Sequence, residues 1–165
     1  MINKFIILVK YFLQNYPNKD ELSASRLTKM VYLSDWRNAL VNNKQLTETK
    51  WFFDHYGPYV DTLKESCNAN SGITSYTSRN MYGKKKTCFT LNDDSSDYMA
   101  HLSISEKEIL DFVIEKTKTK NYDEFIKLVY STYPVANSEK YCSLNLTLMA
   151  NEYKDMLDSP TKYHH

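Results

Sequence analysis

The feature that most constrains this chain is a helix-patterned run, Leu27-Thr28-Lys29-Met30-Val31-Tyr32-Leu33-Ser34-Asp35-Trp36-Arg37. On a helical wheel Leu27, Met30, Val31, Leu33 and Leu40 share one broad face, and Tyr32 and Trp36 fall on the other side. A helix that is apolar nearly all round must be packed among several neighbours. The run therefore predicts a central helix with the rest of the chain wrapped about it. Ser23 stands where its hydroxyl can cap the helix, and Asn42-Asn43 stands where it ends. Arg37 falls within the apolar arc, where a guanidinium must find a carboxylate or carbonyls. It reads as half of a structural salt bridge, with a binding-site arginine as the alternative.

The flanking segments supply the neighbours. Ile2, Phe5, Ile6, Val9, Phe12, Leu13 and Tyr16 recur at helical spacing and predict a core helix over 2–16, ended by Pro17-Asn18-Lys19-Asp20. Trp51-Phe52-Phe53 predicts a short strand. Gly57-Pro58 predicts a turn into a helix from about Pro58 to about Cys67, because proline suits the first helical position. Ile73 to Tyr76 and Thr87 to Leu91 predict the arms of a hairpin, with Met81 to Lys86 at or near its turn. Asn92 to Asp97 follows as a polar loop. Ser105 with Glu108 reads as a capping box before Ile109, Leu110 and Val113, on a helix reaching Lys118. Asn121 caps another helix that buries Phe125, Leu128 and Val129 and is limited by Pro134. From Thr147, Leu148, Met149, Tyr153, Met156 and Leu157 suggest a final helix ending near Ser159-Pro160. The expected fold class is α+β, mainly α: a single domain over 1–165 of about six helices, a short strand and a small hairpin.

Composition narrows the function. With 21 basic and 20 acidic residues the net charge is +1, which gives no general attraction to nucleic-acid backbones or anionic membranes. The run Lys84-Lys85-Lys86, beside Tyr76 and Tyr82, reads either as a phosphate-and-stacking contact or as a solvated turn that guards the hairpin edge. Fourteen tyrosines provide wettable aromatic surface for interfaces or for the edge of a core, while only 3 glycines argue against phosphate-cradling loops. Cys67, Cys88 and Cys142 form no Cys-x-x-Cys pair and read as reduced thiols of a cytoplasmic protein. Phe5 to Val9 is too short to span a bilayer.

No catalytic or metal-binding pattern is present. Of four histidines, His164 and His165 stand at the extreme end, native or the stub of a purification tag, which leaves His55 and His101. The sequence contains no His-x-x-x-His, His-Glu-x-x-His, Gly-x-Ser-x-Gly or P-loop, so no metal and no cofactor is expected. Asp35 and Asp54 lie on separate elements, and Cys67 with His55 sits in no nucleophile motif. The chain reads as a binding protein rather than an enzyme, and a hydrolase using His55 or Cys67 is the rival.

The residues also carry a family resemblance. Leu27-Thr28-Lys29-Met30-Val31-Tyr32-Leu33-Ser34-Asp35-Trp36 resembles the Lys-Leu-Leu-Tyr-(Leu/Tyr)-Ala-(Asp/Gln) helix of the Panacea domain, the SocA-like antitoxin domain that also occurs in phage-associated proteins. Gln45-Leu46-Thr47 is similar to the family's lead into its strand, and Tyr56-Gly57-Pro58-Tyr59-Val60 to its Tyr-Gly-Pro-Val turn. Leu102-Ser103 with the helix that follows resembles the third segment. Leu128 to Ala136 resembles the last one, although Ser131-Thr132 brings no histidine and Val135 stands where the family has tryptophan. The resemblance spans about 22–136, with the final helix at about 147–158 beyond it.

It implies an antitoxin that neutralises a cognate protein toxin by direct binding. The alternatives are an adaptor that delivers the toxin to an ATP-dependent protease and a phage-encoded regulator that binds host machinery. A homo-oligomer is compatible with either. The candidate positions, as partner surface or family motif, are Tyr32, Asp35, Trp36, Arg37, His55, Tyr56, Gly57, Pro58 and Tyr59. Tyr56, Tyr59 and the hairpin are the expected contact surface, and the irregular surface of residues 68–98 is where toxin specificity is expected.

Overall fold

A computed structural model describes residues 3–66, 72–92 and 97–158. The expectations for Ile2, Cys67, the central part of the polar loop (93–96), Ser159-Pro160, His164 and His165 lie outside the described residues. The fold is α+β and mainly α. Helix α1 spans Lys4–Asn15 and helix α2 spans Ala24–Asn42. Strands β1 (Trp51–Asp54) and β2 (Gly57–Tyr59) precede a short helix α3 (Thr62–Ser66). A hairpin of β3 (Ile73–Arg79) and β4 (Lys85–Leu91) comes next, then helices α4 (Ile104–Thr117), α5 (Tyr122–Ser131) and α6 (Tyr133–Ala136). Strand β5 (Ser143–Leu144) and helix α7 (Leu146–Asp158) complete the order.

Helix α2 is the hub. Every residue from Arg26 to Trp36 is buried, and helices α1, α3, α4, α5 and α7 all pack on it, as do β2 and β4. Ser23 Oγ accepts the Arg26 amide at 3.2 Å, and Asn43 ends the helix in the left-handed conformation at φ 62. Asparagine tolerates that conformation better than most side chains.

Strand β1 is the middle of a three-stranded antiparallel sheet in the order β2-β1-β5. Its side chains alternate, with Trp51 and Phe53 inward and Phe52 and Asp54 outward, as the two-residue period of a strand requires. The Trp51 ring meets Phe5 of α1 and the edge of Tyr32 of α2, with centroids 6.3 and 5.5 Å apart. The second sheet is the β3-β4 hairpin, in register from Ile73↔Leu91 to Arg79↔Lys85. A bridge between Ser23 and Cys88 fastens it to the start of α2.

Two sequence expectations are corrected. Gly57 and Pro58 do not start a helix: they form the returning strand β2, with Phe53 opposite Pro58 and Asp54 opposite Gly57, and the helix starts only at Thr62. Strand β2 is a sheet edge, where the missing proline amide leaves no ladder bond unmade. The capping box before α4 is Ser103 with Glu106, two residues earlier than expected. Glu106 receives the Ser103 amide at 2.8 Å and also pairs with Lys4 of α1 at 2.6 Å, which fixes the frame.

Candidate functional site

The nine positions singled out from sequence fall into two groups. Those on α2 are scaffold. The Tyr32 hydroxyl is 2.8 Å from Thr132 Oγ1, and burial pushes its phenol well above the ordinary tyrosine range. Trp36 stacks on Tyr133 of α6 at 6.5 Å and meets Tyr153 of α7 edge-on at 6.1 Å. Arg37 makes no salt bridge among the described residues. Its guanidinium lies 4.0 Å from the centre of the half-exposed Phe112 ring, a cation–π contact that keeps the charge near water.

Asp35 is the most heavily engaged. Its Oδ1 accepts the Leu46 and Thr47 amides at 2.8 and 2.9 Å. Its Oδ2 accepts the Thr47 hydroxyl at 2.5 Å, the Trp51 indole N–H at 2.8 Å and the Gln45 amide at 3.4 Å. Burial raises its pKa to about 6, against the lowering by these donors. The carboxylate ties the loop before β1 to α2, and all of its capacity is used there.

Of the hairpin positions, His55 and Tyr56 reach the surface. Tyr56 is 74% exposed at the tip of β1-β2, with His55 edge-on to it at 4.4 Å. His55 Nδ1 is 3.3 Å from the hydroxyl of Tyr141, itself exposed and at a positive φ of 68. Gly57 and Pro58 are buried, and Tyr59 is half-buried beside Asp61, its phenol raised first by burial.

The buried cations are Arg26 and Lys29, which sequence reasoning passed over in favour of Arg37. Arg26 Nη2 donates to the Tyr16 hydroxyl at 2.8 Å and to the Thr117 and Lys120 carbonyls at 2.9 Å each. Its guanidinium stands 4.5 Å over Phe125, so it fastens the end of α4 and the face of α5 to α2. Lys29 Nζ donates to Ser25 Oγ at 3.0 Å and lies 5.8 Å from the centre of the Tyr59 ring. Among the described residues no carboxylate comes within 4 Å of it. Burial lowers its pKa to about 8, partly offset by the field of Asp54. A lysine inside a helix that is apolar on nearly every side was the signal available in the sequence.

Above Lys29 a groove of about 590 Å³ opens between the start of α2, the β3-β4 turn and the start of α5. Ser25, Tyr59, Lys64, Met81, Tyr82 and Tyr122 line it with Arg26 and Glu21. Met81 and Tyr82 are largely exposed, and the Tyr82 hydroxyl donates to Asp123 Oδ2 at 2.9 Å. The sequence does not join these residues, because they come from four separated segments. The lysine run is also divided by the fold: Lys85 and Lys86 point to opposite faces of β4, and Lys86 Nζ turns to the Asp20 carbonyl at 2.5 Å.

The segments that carried the resemblance meet in space. A Cβ on Gly57 would stand 3.4 Å from Lys29 Cε and 3.3 Å from Tyr130 Cε1, so the Tyr-Gly-Pro turn roofs the lysine and touches α5. A family model described as antitoxin SocA-like, Panacea domain, matches residues 27–134. The chain belongs to the SocA-like Panacea antitoxin family. Membership supports an antitoxin-type role with a toxin as partner. No curated protein and no solved structure matched the chain. No helix among the described residues is long and apolar enough to cross a membrane.

In this Panacea domain the matched span includes α2 from Leu27 on, both hairpins, α4 and α5, and it stops at Pro134 in α6. The Lys29–Tyr32 helix turn, the Gly57-Pro58 strand and the Tyr130–Thr132 segment form its interior contact.

Proposed function

We propose that this chain is an antitoxin that binds its cognate protein toxin directly and neutralises it by occupation, with no chemistry of its own. The family match over residues 27–134 carries the reading. The exposed residues support it: Tyr56 and Tyr141 at one hairpin tip, and Met81 and Tyr82 at the other, are residue types enriched in protein interfaces. The two carboxylates that could have formed an acid–base pair are otherwise engaged. Asp35 is spent on five donors, and Asp54 Oδ1 accepts the His55 amide at 2.8 Å.

The test is co-expression with the product of the neighbouring gene. The wild-type chain is expected to restore growth and to co-purify with that product. Tyr56→Ala, at an exposed side chain, is expected to weaken co-purification while the chain's own melting curve is unchanged. Failure of the wild type both to bind and to restore growth would remove the reading. Growth restored through a shortened toxin half-life, with toxin activity unaltered in a purified mixture, would make the chain a proteolytic adaptor instead.

A further inference from the structure

The wall of the groove holds a chain of donors with a direction. Lys29 Nζ donates to Ser25 Oγ at 3.0 Å, and an ammonium can only donate. Ser25 Oγ is in turn 2.7 Å from the Tyr122 hydroxyl. A serine hydroxyl that has accepted from a cation is polarised into a better donor, and the Tyr122 hydroxyl stands within reach of its proton. With Ser25 donating, the Tyr122 proton is the open end of the chain. Tyr122 is 40% exposed and lines the groove, so the proton is offered to whatever lies there.

The lining of the groove carries more cations than anions. Arg26, Lys64 and Lys86 line it against Glu21 as the one acidic residue of its lining, and Glu21 is already held 3.4 Å from Arg26. Lys29 adds a further cation behind Ser25 and Tyr59. The acidic groups nearby are engaged: Asp123 accepts from Tyr82, Asp61 from Tyr59, and Asp54 Oδ1 accepts the His55 amide. Met81, Tyr59 and Tyr82 give the same groove apolar and aromatic walls. Its volume of about 590 Å³ is that of an ordinary ligand cleft, with room for a few side chains.

We propose that this groove seats an acidic segment of the bound toxin, one carboxylate taking the Tyr122 hydroxyl as its donor and the neighbouring apolar side chains lying against Met81, Tyr82 and Tyr59. The inference rests on the reading of the chain as a toxin-binding protein and names the chemistry that the toxin presents. The field of Lys29 and Lys64 selects the charge, and the end of the hydroxyl chain selects the position of the carboxylate.

The test uses the full chain and two fluorescein-labelled probe peptides, one alternating glutamate and leucine and the other glutamine and leucine, followed by anisotropy. The glutamate peptide is expected to bind about tenfold more tightly than the glutamine peptide, the size of one charge-assisted hydrogen bond. Tyr122→Phe and Ser25→Ala are expected to reduce that preference severalfold, because the bond to the ionised acceptor is stronger than the bond to a neutral amide. Both changes are small, and should Ser25→Ala fail to fold, Tyr122→Phe decides alone. Equal binding of the two peptides by the wild type, or an undiminished preference in Tyr122→Phe, would overturn the proposal. So would free glutamate competing as well as the peptide, since that would make this a small-acid site. Growth restored by Tyr122→Phe as fully as by the wild type would also overturn it, yet leave the antitoxin reading standing. If the wild type neither binds the toxin nor restores growth, it is the antitoxin reading that falls.

Discussion

Asp35 Oδ2 accepts the indole N–H of Trp51 at 2.8 Å, joining the middle of α2 to the first residue of β1. The same carboxylate takes the Leu46 and Thr47 amides, so one side chain sets where the chain re-enters the sheet after α2 ends. Asp35→Ala would leave these donors buried without an acceptor, and each orphaned donor costs about 1–3 kcal/mol. The variant is therefore expected to lose at least about 3 kcal/mol in urea unfolding, with the Trp51 fluorescence of its native state altered. A loss below about 1 kcal/mol would mean that water replaces the carboxylate, and that the loop is not held from α2.

Lys29 ties stability to pH. Its folded pKa of about 8 lies below the ordinary 10.5, so between these values the unfolded chain binds the extra proton. Stability attributable to Lys29 must therefore rise with pH across that window, and the penalty is fully present below about pH 8. The groups facing the ammonium are Ser25, the Tyr59 ring and, at longer range, Asp54. The Tyr59 phenol titrates above its usual range, so the comparison is best kept below pH 10. Lys29→Met removes the titration and keeps the bulk. The stability of the wild type relative to this variant is expected to climb from pH 8 to 10 by an amount on the order of 2 kcal/mol, measured by urea unfolding at each pH. A flat difference would show that the ammonium is well solvated in the fold.

Much of the frame was legible because single residues mark it. Ser23 and Asn43 bound α2, Asn121 caps α5, and the β-rich runs Ile73 to Tyr76 and Thr87 to Leu91 fall within the two arms of the β3-β4 hairpin. Gly57-Pro58 was misleading because proline is at home both at a helix start and on an edge strand, and only the partner strand distinguishes the two. Arg37 was misleading for a related reason: a wheel gives direction but not depth. At that depth Phe112 of α4 supplies a ring where a carboxylate was expected. The groove was the least legible part. It depends on Ser25, Tyr59, Met81 and Tyr122 converging from segments up to 97 residues apart, as the Ser25–Tyr122 hydroxyl pair shows. No spacing within any one segment encodes that meeting.

Gly57 is required twice over. Its φ of 108 is strained for any residue with a Cβ, and the added carbon would press on Tyr130 at 3.3 Å and Lys29 at 3.4 Å. Gly57→Ala is expected to cost about 1–3 kcal/mol and to shift the Tyr130 and Lys29 side-chain resonances together. A variant as stable as the wild type, with those resonances unmoved, would mean that the β1-β2 hairpin does not press on α2.

Two overlapping Ser-x-x-Glu boxes precede α4, and they differ in what a serine deletion should do. Ser103 Oγ accepts the Glu106 amide at 3.1 Å while Glu106 Oε1 accepts the Ser103 amide, so both halves of the earlier box are formed. Ser105 is already inside the first turn of α4 and exposed. Ser103→Ala is accordingly expected to cost about 1 kcal/mol, the usual worth of an N-cap, and Ser105→Ala to stay within about 0.5 kcal/mol of the wild type. Glu106 should show the same frame from the acid side, since Lys4 and the Ser103 groups hold its carboxyl below the ordinary glutamate range in spite of burial. As pH falls below the ordinary glutamate pKa the unfolded chain protonates first, and the contribution is lost down to the lowered value of the folded carboxyl, so the gap between wild type and Ser103→Ala should narrow across that interval. Equal losses in the two serine variants would put the start of α4 back at Ser105.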